Sequence, residues 1–187
     1  MAVIDRAAGR RSDGQAFLIG PTLYLRPVEP DDAATAPRWS GERFSVPVEI
    51  MRNRIQGWLG DDPDAEAGNQ RLLICHRCDD RPVGMARFAY ENERTCTLHF
   101  THDSNRDLNC RAHVEAEVMR FALPFLIERR RLMRVTTDHL GDHPLIRRTA
   151  CELGMRRCYR LREAYQHRGQ RRDRIGYELL NPLWVRL

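Results

Sequence analysis

The residues of this chain best suited to moving protons stand at the end of a β-like run. "TLHFTH" closes on His102, with His99 three residues earlier and Asp103 directly after it. An imidazole changes charge between about pH 5 and 8 with small changes of surroundings, so a histidine beside a carboxylate can carry a proton. A hydrogen-bonded loop pair is the alternative for His102 and Asp103, and a surface position for His99. Glu163 and Tyr165 in "RLREAYQH" form a second set, with packing at a sheet edge as the alternative for Tyr165. Of six cysteines, only "CHRC" at 75 to 78 has metal-ligand spacing. Without a second close pair the four ligands of a structural zinc are missing, so no metal site is expected and Cys75 and Cys78 read as a strand residue and its end.

Charge is unevenly spread. All 31 basic side chains are arginines, and the chain carries a formal net charge of +5. Residues 1 to 100 hold 13 Arg against 15 Asp and Glu, and residues 101 to 187 hold 18 against 11. Arg129 to Arg131, Arg134, Arg147, Arg148, Arg156, Arg157, Arg160 and Arg162 make the second half attractive to phosphates, of a nucleotide or of RNA, or simply a solvated basic surface.

Between these groups lies "NCRAHVEAE", residues 109 to 117, where a helix begins. A helix start that receives an anion usually offers free N–H groups flanked by small residues. This one carries Arg111, His113, Glu115 and Glu117 instead.

The elements that must position these residues follow from periodicity. "TLYLRPV" (22 to 28) alternates as a strand, and Pro30, Asp31 and Asp32 open a short helix. Val48, Met51, Ile55 and Leu59 recur at helical intervals, with Trp58 in the core, before a Gly/Asp/Pro-rich loop. Three strands (71 to 77, 82 to 90, 94 to 102) are spaced as an antiparallel meander. A helix over about 113 to 131, kinked by Pro124, leads to a strand at 132 to 140. A helix over 143 to 154 and a long hairpin end the chain. The passage from 94 to 140 predicts a crossover that makes two strands parallel. Length fits one domain over residues 19 to 187 after a flexible arm over 1 to 18. No run is long and apolar enough for a membrane helix, and the first residues lack a secretory pattern, so a cytoplasmic location is expected.

This order, with "LRPVEPDDA", "RPVGMARF", "ELGM" and "RLREAYQHRGQRRDRIGYELLNPLW", resembles the GNAT superfamily of N-acyltransferases over about residues 19 to 185, most closely its branch of RimJ/RimL-like ribosomal-protein acetyltransferases. The resemblance implies an α/β (α+β) fold, a mixed and mostly antiparallel central sheet with helices on both faces. It implies acyl transfer from acetyl-CoA or another acyl-CoA to a primary amine, of a protein or peptide N-terminus or of a small molecule, by a monomer or homodimer. In the family a Gly-rich turn before the long helix cradles the CoA diphosphate. Here that turn falls on Cys110 to Glu115 and has none of the glycines, with Arg111 as a source of compensating charge.

The cofactor contacts implied are Phe100, Thr101, Arg106, Cys110, Arg111, Ala112, His113, Val114, Glu115 and His143. A diphosphate there requires the amides around Arg111 to be free of Asp107 and Glu115 caps, and the cleft to be clear of the His113 ring. The family's usual acid and base positions hold other residues, so the catalytic candidates are His102, Asp103, Glu163 and Tyr165, the last as the acid for the leaving thiolate. Arg43, Glu49, Arg52 and Trp58 lie in the region that walls the acceptor site in similar proteins. The alternative function is a GNAT-like binding or regulatory protein whose arginine-rich half contacts RNA, the ribosome or an acidic protein.

Overall fold

The computed structural model describes residues 16–42, 44–59 and 69–185. The expected arm up to residue 15, Arg43 and most of the loop after Leu59 lie outside them. Phe17 and Leu18, at the end of that arm, are already docked: Phe17 N–H donates to Leu25 O at 2.7 Å, and its ring meets Phe125 edge-on at 5.3 Å.

Eight strands form one sheet: β1 (Leu18–Ile19), β2 (Leu23–Pro27), β3 (Asn69–His76), β4 (Pro82–Asn92), β5 (Thr95–Thr101), β6 (Arg134–Leu140), β7 (Arg156–His167) and β8 (Gln170–Leu180). Their spatial order is β1-β2-β3-β4-β5-β6-β8-β7. β5 and β6 pair in parallel over Thr95↔Arg134 to Leu98↔Thr137, while every other described pair is antiparallel. The crossover between them is α2 (Leu108–Pro124), as the sequence predicts; α1 (Val48–Leu59), α3 (Pro144–Glu152) and the short α4 (Pro182–Val185) complete the helices, with a 3-10 helix over Pro30–Arg38.

Two apolar clusters cover opposite faces of the sheet. One packs α2 and α3, through Val118, Met119, Leu123, Ile146 and Ala150, on Leu25, Ile74, Phe88, Leu98 and Val135. The other packs the 3-10 helix and α1, through Ala33, Trp39, Met51 and Ile55, on Leu73, Cys75 and Met85. Val48 and Leu59 remain exposed, because only the middle turns of α1 meet the sheet. Trp58 is half-buried rather than in the core, with the Arg71 guanidinium 4.9 Å from its ring centroid. Arg26 occupies an inward position, which alternation alone would forbid. Its guanidinium forks onto Asp32 at 2.8 and 2.6 Å, and this pairing permits its burial.

The long helix differs from expectation at both ends. It starts at Leu108, five residues before 113, because Asp107 is a strong cap: its carboxylate accepts the Asn109 N–H at 2.8 Å. Pro124 cannot donate to the ladder, and the next turn, Phe125–Arg129, widens into π geometry, with Arg130 N–H reaching Phe125 O at 3.1 Å. Glu117, in the middle of α2, holds the first strands in place. Its carboxylate accepts Thr22 N–H at 2.7 Å, Leu23 N–H at 2.8 Å and the Thr22 hydroxyl at 2.6 Å.

Candidate active site

Past Leu98 and Thr137 the parallel strands β5 and β6 stop pairing, and the gap between them is filled from below by α2. Glu115 reaches into it. His102 Nε2–H donates to its Oε1 at 2.9 Å and His139 Nδ1–H to its Oε2 at 2.5 Å. All three residues are buried, at 5%, 2% and 3% exposure. Burial alone would raise the Glu115 carboxyl, but the two histidine hydrogen bonds outweigh it and hold the group well below the usual carboxylate range. The remaining ring nitrogens face protein as well: His139 Nε2 lies 3.3 Å from Thr137 Oγ1, and His102 Nδ1 3.3 Å from Val83 O, which also accepts from Arg106 NH1 at 2.6 Å. Phe100 is the lid of this cluster, 6.5 Å from the His102 ring and 5.7 Å from that of His139.

Above the gap opens a cavity of about 480 Å³. Ser40, Gly41 and Phe44 wall one side, Phe100 to His102 with Ser104 and Asn105 form the floor, and Arg111 enters from α2. Tyr165 to Gly169, the tip of the β7–β8 hairpin, close the other side. That tip is re-aimed by a bulge in β7 between Leu161 and Tyr165. Glu163 there has φ 50° and its N–H donates to Asp173 Oδ1 at 3.0 Å. Thr101 ties the floor to the wall through its hydroxyl, which donates to Trp39 O at 2.8 Å.

The structure thus gathers Phe100, Thr101, His102, Arg111 and Tyr165 around one space and leaves the other expected residues outside it. His102 and Asp103 do not form a pair. The His102 ring turns inward to Glu115, while the Asp103 carboxylate accepts the Asn105 N–H at 2.8 Å in the following turn. Arg106 is spent on Val83 O, and Glu163 is exposed on the hairpin.

Cys110 to Glu115 are helical rather than a loop, which corrects the expected diphosphate turn. Arg111 N–H donates to Asp107 O at 3.0 Å, and the amides beyond it belong to the helix ladder. Ala112 and Val114 face the core, and Cys110 is exposed. His113 stays out of the cleft, with Nδ1–H donating to Asn109 O at 2.7 Å. His143 caps α3: its Nδ1 accepts Leu145 N–H at 3.2 Å and its Nε2–H donates to Asn109 Oδ1 at 2.8 Å.

Two residues at the site escaped the sequence reading. His139 sits in "VTTDHL", where alternation puts it on the face of Val135 and Thr137 and so toward α2. His167, read only as part of a hairpin, is 6% exposed, lines the cavity, and has no hydrogen-bond partner for Nε2 among the described residues. Burial, then the charges of Arg111, Arg168 and Arg172, depress its pKa below the ordinary histidine value, so it is neutral at pH 7.

A mostly antiparallel sheet with one parallel pair that splays over a helix start, flanked by helices on both faces, is the fold of the GNAT acetyltransferases. Solved structures agree. A Sphaerobacter thermophilus protein assigned as an acetyltransferase matches at 27% identity over 89% of this chain and 99% of its own, with TM-score 0.68. Mycobacterium smegmatis RimJ in complex with CoA-disulfide matches at 16% identity over 87% and 85%, with TM-score 0.60. The ribosomal-protein-S5-alanine acetyltransferase of Vibrio fischeri matches at 10% over 88% and 96%, with TM-score 0.58. No protein-family model matches the chain, and no curated protein does. No helix among the described residues is long and apolar enough to cross a membrane.

Proposed function

We propose that this chain transfers an acyl group from a CoA thioester to a primary amine that enters the 480 Å³ cavity. The observation that supports the reading is a cavity floored by the end of β5, past its last pairing with β6, in a chain that shares 27% identity over 89% of its length with a protein assigned as an acetyltransferase. Bound there, the thioester supplies an activated carbonyl. The chain's own contribution is to hold the amine and take its proton. Both ring nitrogens of His102 face protein, Nε2 toward Glu115 and Nδ1 toward Val83 O, rather than an amine in the cavity. We assign that step to His167, whose burial and arginine neighbours favour the neutral imidazole and whose Nε2 has no hydrogen-bond partner among the described residues. Tyr165 supplies an O–H donor on the same wall.

The helix end does not fit the family's diphosphate cradle. Asp107 places a carboxylate on the first amides, and the helix dipole that favours an anion is already answered by it. This observation favours a second reading, a GNAT-like binding protein without acyl transfer. Its basic half is partly neutralised, however. Arg156 pairs with Glu178, Arg160 with Asp173, and Arg147 and Arg157 with Asp142, which lowers its appeal for RNA. The two readings separate in one experiment. Thermal unfolding with acetyl-CoA at about a hundredfold excess over its dissociation constant adds roughly 2.7 kcal/mol if the donor binds. Thiol release with a panel of primary amines then reports transfer. Absence of both, with salt-sensitive retention on RNA, overturns the enzyme reading.

A further inference from the structure

The cavity is one-sided in charge. Among the described residues that line it none is an aspartate or glutamate, while Arg111 and Arg168 both line it. Arg111 Nε is buried without a hydrogen-bond partner among the described residues, as is Nε of Arg172 just behind the hairpin tip. A buried guanidinium edge left unpaired is costly, since the desolvation of its N–H is not repaid by an acceptor. His167 Nε2, at the same wall, has no hydrogen-bond partner among the described residues either. Asp107 acts on His167 through its charge, but its Oδ1 is taken by the Asn109 N–H. The geometry points to an amine acceptor that also carries an oxyanion, a carboxylate or a phosphate, which Arg111 binds in the cavity beside His167.

This inference rests on the acyltransferase reading only for the word acceptor; the anion site stands on Arg111 and the cavity. The arrangement discriminates by class. A polyamine meets two arginines and no carboxylate in the lining, whereas an amino acid or an acidic peptide end brings the missing acceptor atoms to Arg111 and sets its amine near a neutral imidazole.

The test is thermal unfolding of the full chain titrated with sodium succinate, inorganic phosphate, spermidine and coenzyme A, each against sodium chloride of equal ionic strength. Succinate or phosphate is expected to give a saturable rise in Tm and spermidine none. Arg111→Gln weakens the anion at least tenfold. Arg120→Gln, on the same helix but paired with Glu152 at 3.2 Å, leaves it unchanged. No saturable anion shift, or a shift retained in Arg111→Gln, overturns the proposal. So does a shift dependent on Arg111 that only coenzyme A produces, because the guanidinium then serves the donor. Anion binding without any thiol release sinks the transferase reading and leaves this site standing. Efficient transfer to uncharged amines with no anion effect does the reverse.

Discussion

Replacing Glu115 by alanine removes the one acceptor that two buried imidazoles share. Its two hydrogen bonds, at 2.9 and 2.5 Å, are made by an ionised carboxylate, and hydrogen bonds to charged groups contribute about 1.5–3 kcal/mol each. Removing one member of a buried ionic cluster costs about 3–5 kcal/mol, because the partners stay buried without compensation. For a domain of this size about 1 kcal/mol moves Tm by roughly 2–4 °C, so Glu115→Ala is expected to lower Tm by about 6–20 °C. Glu115→Gln is milder. Its amide offers one acceptor and one donor, His102 can still donate, and His139 can reverse its tautomer because the Thr137 hydroxyl beside Nε2 also accepts. A loss of about 1–2 kcal/mol follows.

The acid dependence carries the sign. The folded carboxyl is held below its unfolded value near 4.5, so its contribution is full above that pH and fades as pH falls below it. Thermal unfolding from pH 7.5 to 3.5 is the assay, and wild type is expected to lose stability below about pH 4.5 more steeply than Glu115→Gln. A Glu115→Ala Tm within about 2 °C of wild type, or superimposable acid limbs, refutes the assignment of this cluster as the clamp between β5, β6 and α2.

Gly84→Ala places a Cβ 2.7 Å from His102 Nδ1 and 2.9 Å from Thr101 O, so a loss of about 1–3 kcal/mol is expected in urea unfolding. Glu117→Ala frees the Thr22 and Leu23 amides and is expected to cost about 1–3 kcal/mol, with faster amide exchange confined to the first two strands. Asp107→Ser keeps a capping oxygen and removes the charge at the helix start, so CoA is expected to bind about two- to fivefold more tightly by calorimetry. His167→Gln is expected to lower kcat/KM about 10²–10⁴-fold and to abolish an acid limb that wild type shows below the ordinary histidine pKa of 6.5.

The fold was largely legible because its signals are local. Alternation marked β2, the short turns between segments marked β3 to β5, helical spacing marked the crossover helix, and "ELGM" marked the end of α3, where Gly154 takes φ 73°. The errors fall where a partner distant in sequence decides. Arg26 reads as solvent-facing until Asp32 is seen to match it, and α1 loses Val48 and Leu59 from its buried face because the sheet ends beneath it. The site was harder still. His102 and Asp103 are adjacent in sequence, yet the chain leaves β5 at Thr101 and Asp103 caps the following turn, while the true partner of His102 is Glu115. His139 could have been found by extending the alternation of "VTTDHL" by one step. His167 could not, since only the bulge at Glu163 decides which way the hairpin tip faces.

The same helix start therefore carries two opposed charges with different addresses. Asp107 points its carboxylate along the axis, onto the Asn109 amide, and discourages an anion at the helix end. Arg111, one turn on, lines the cavity, where no acid among the described lining residues answers it. A glycine-rich turn would present bare amides to any anion that fits. Substituting side chains for it moves the positive potential from the helix axis to the acceptor side, so selection of the amine substrate and retention of the donor draw on different residues. Asp107→Ser and Arg111→Gln separate the two: the first is expected to change affinity for CoA while leaving that for succinate, and the second the reverse. Parallel changes in both affinities for either variant would mean one shared anion site and would undo this division.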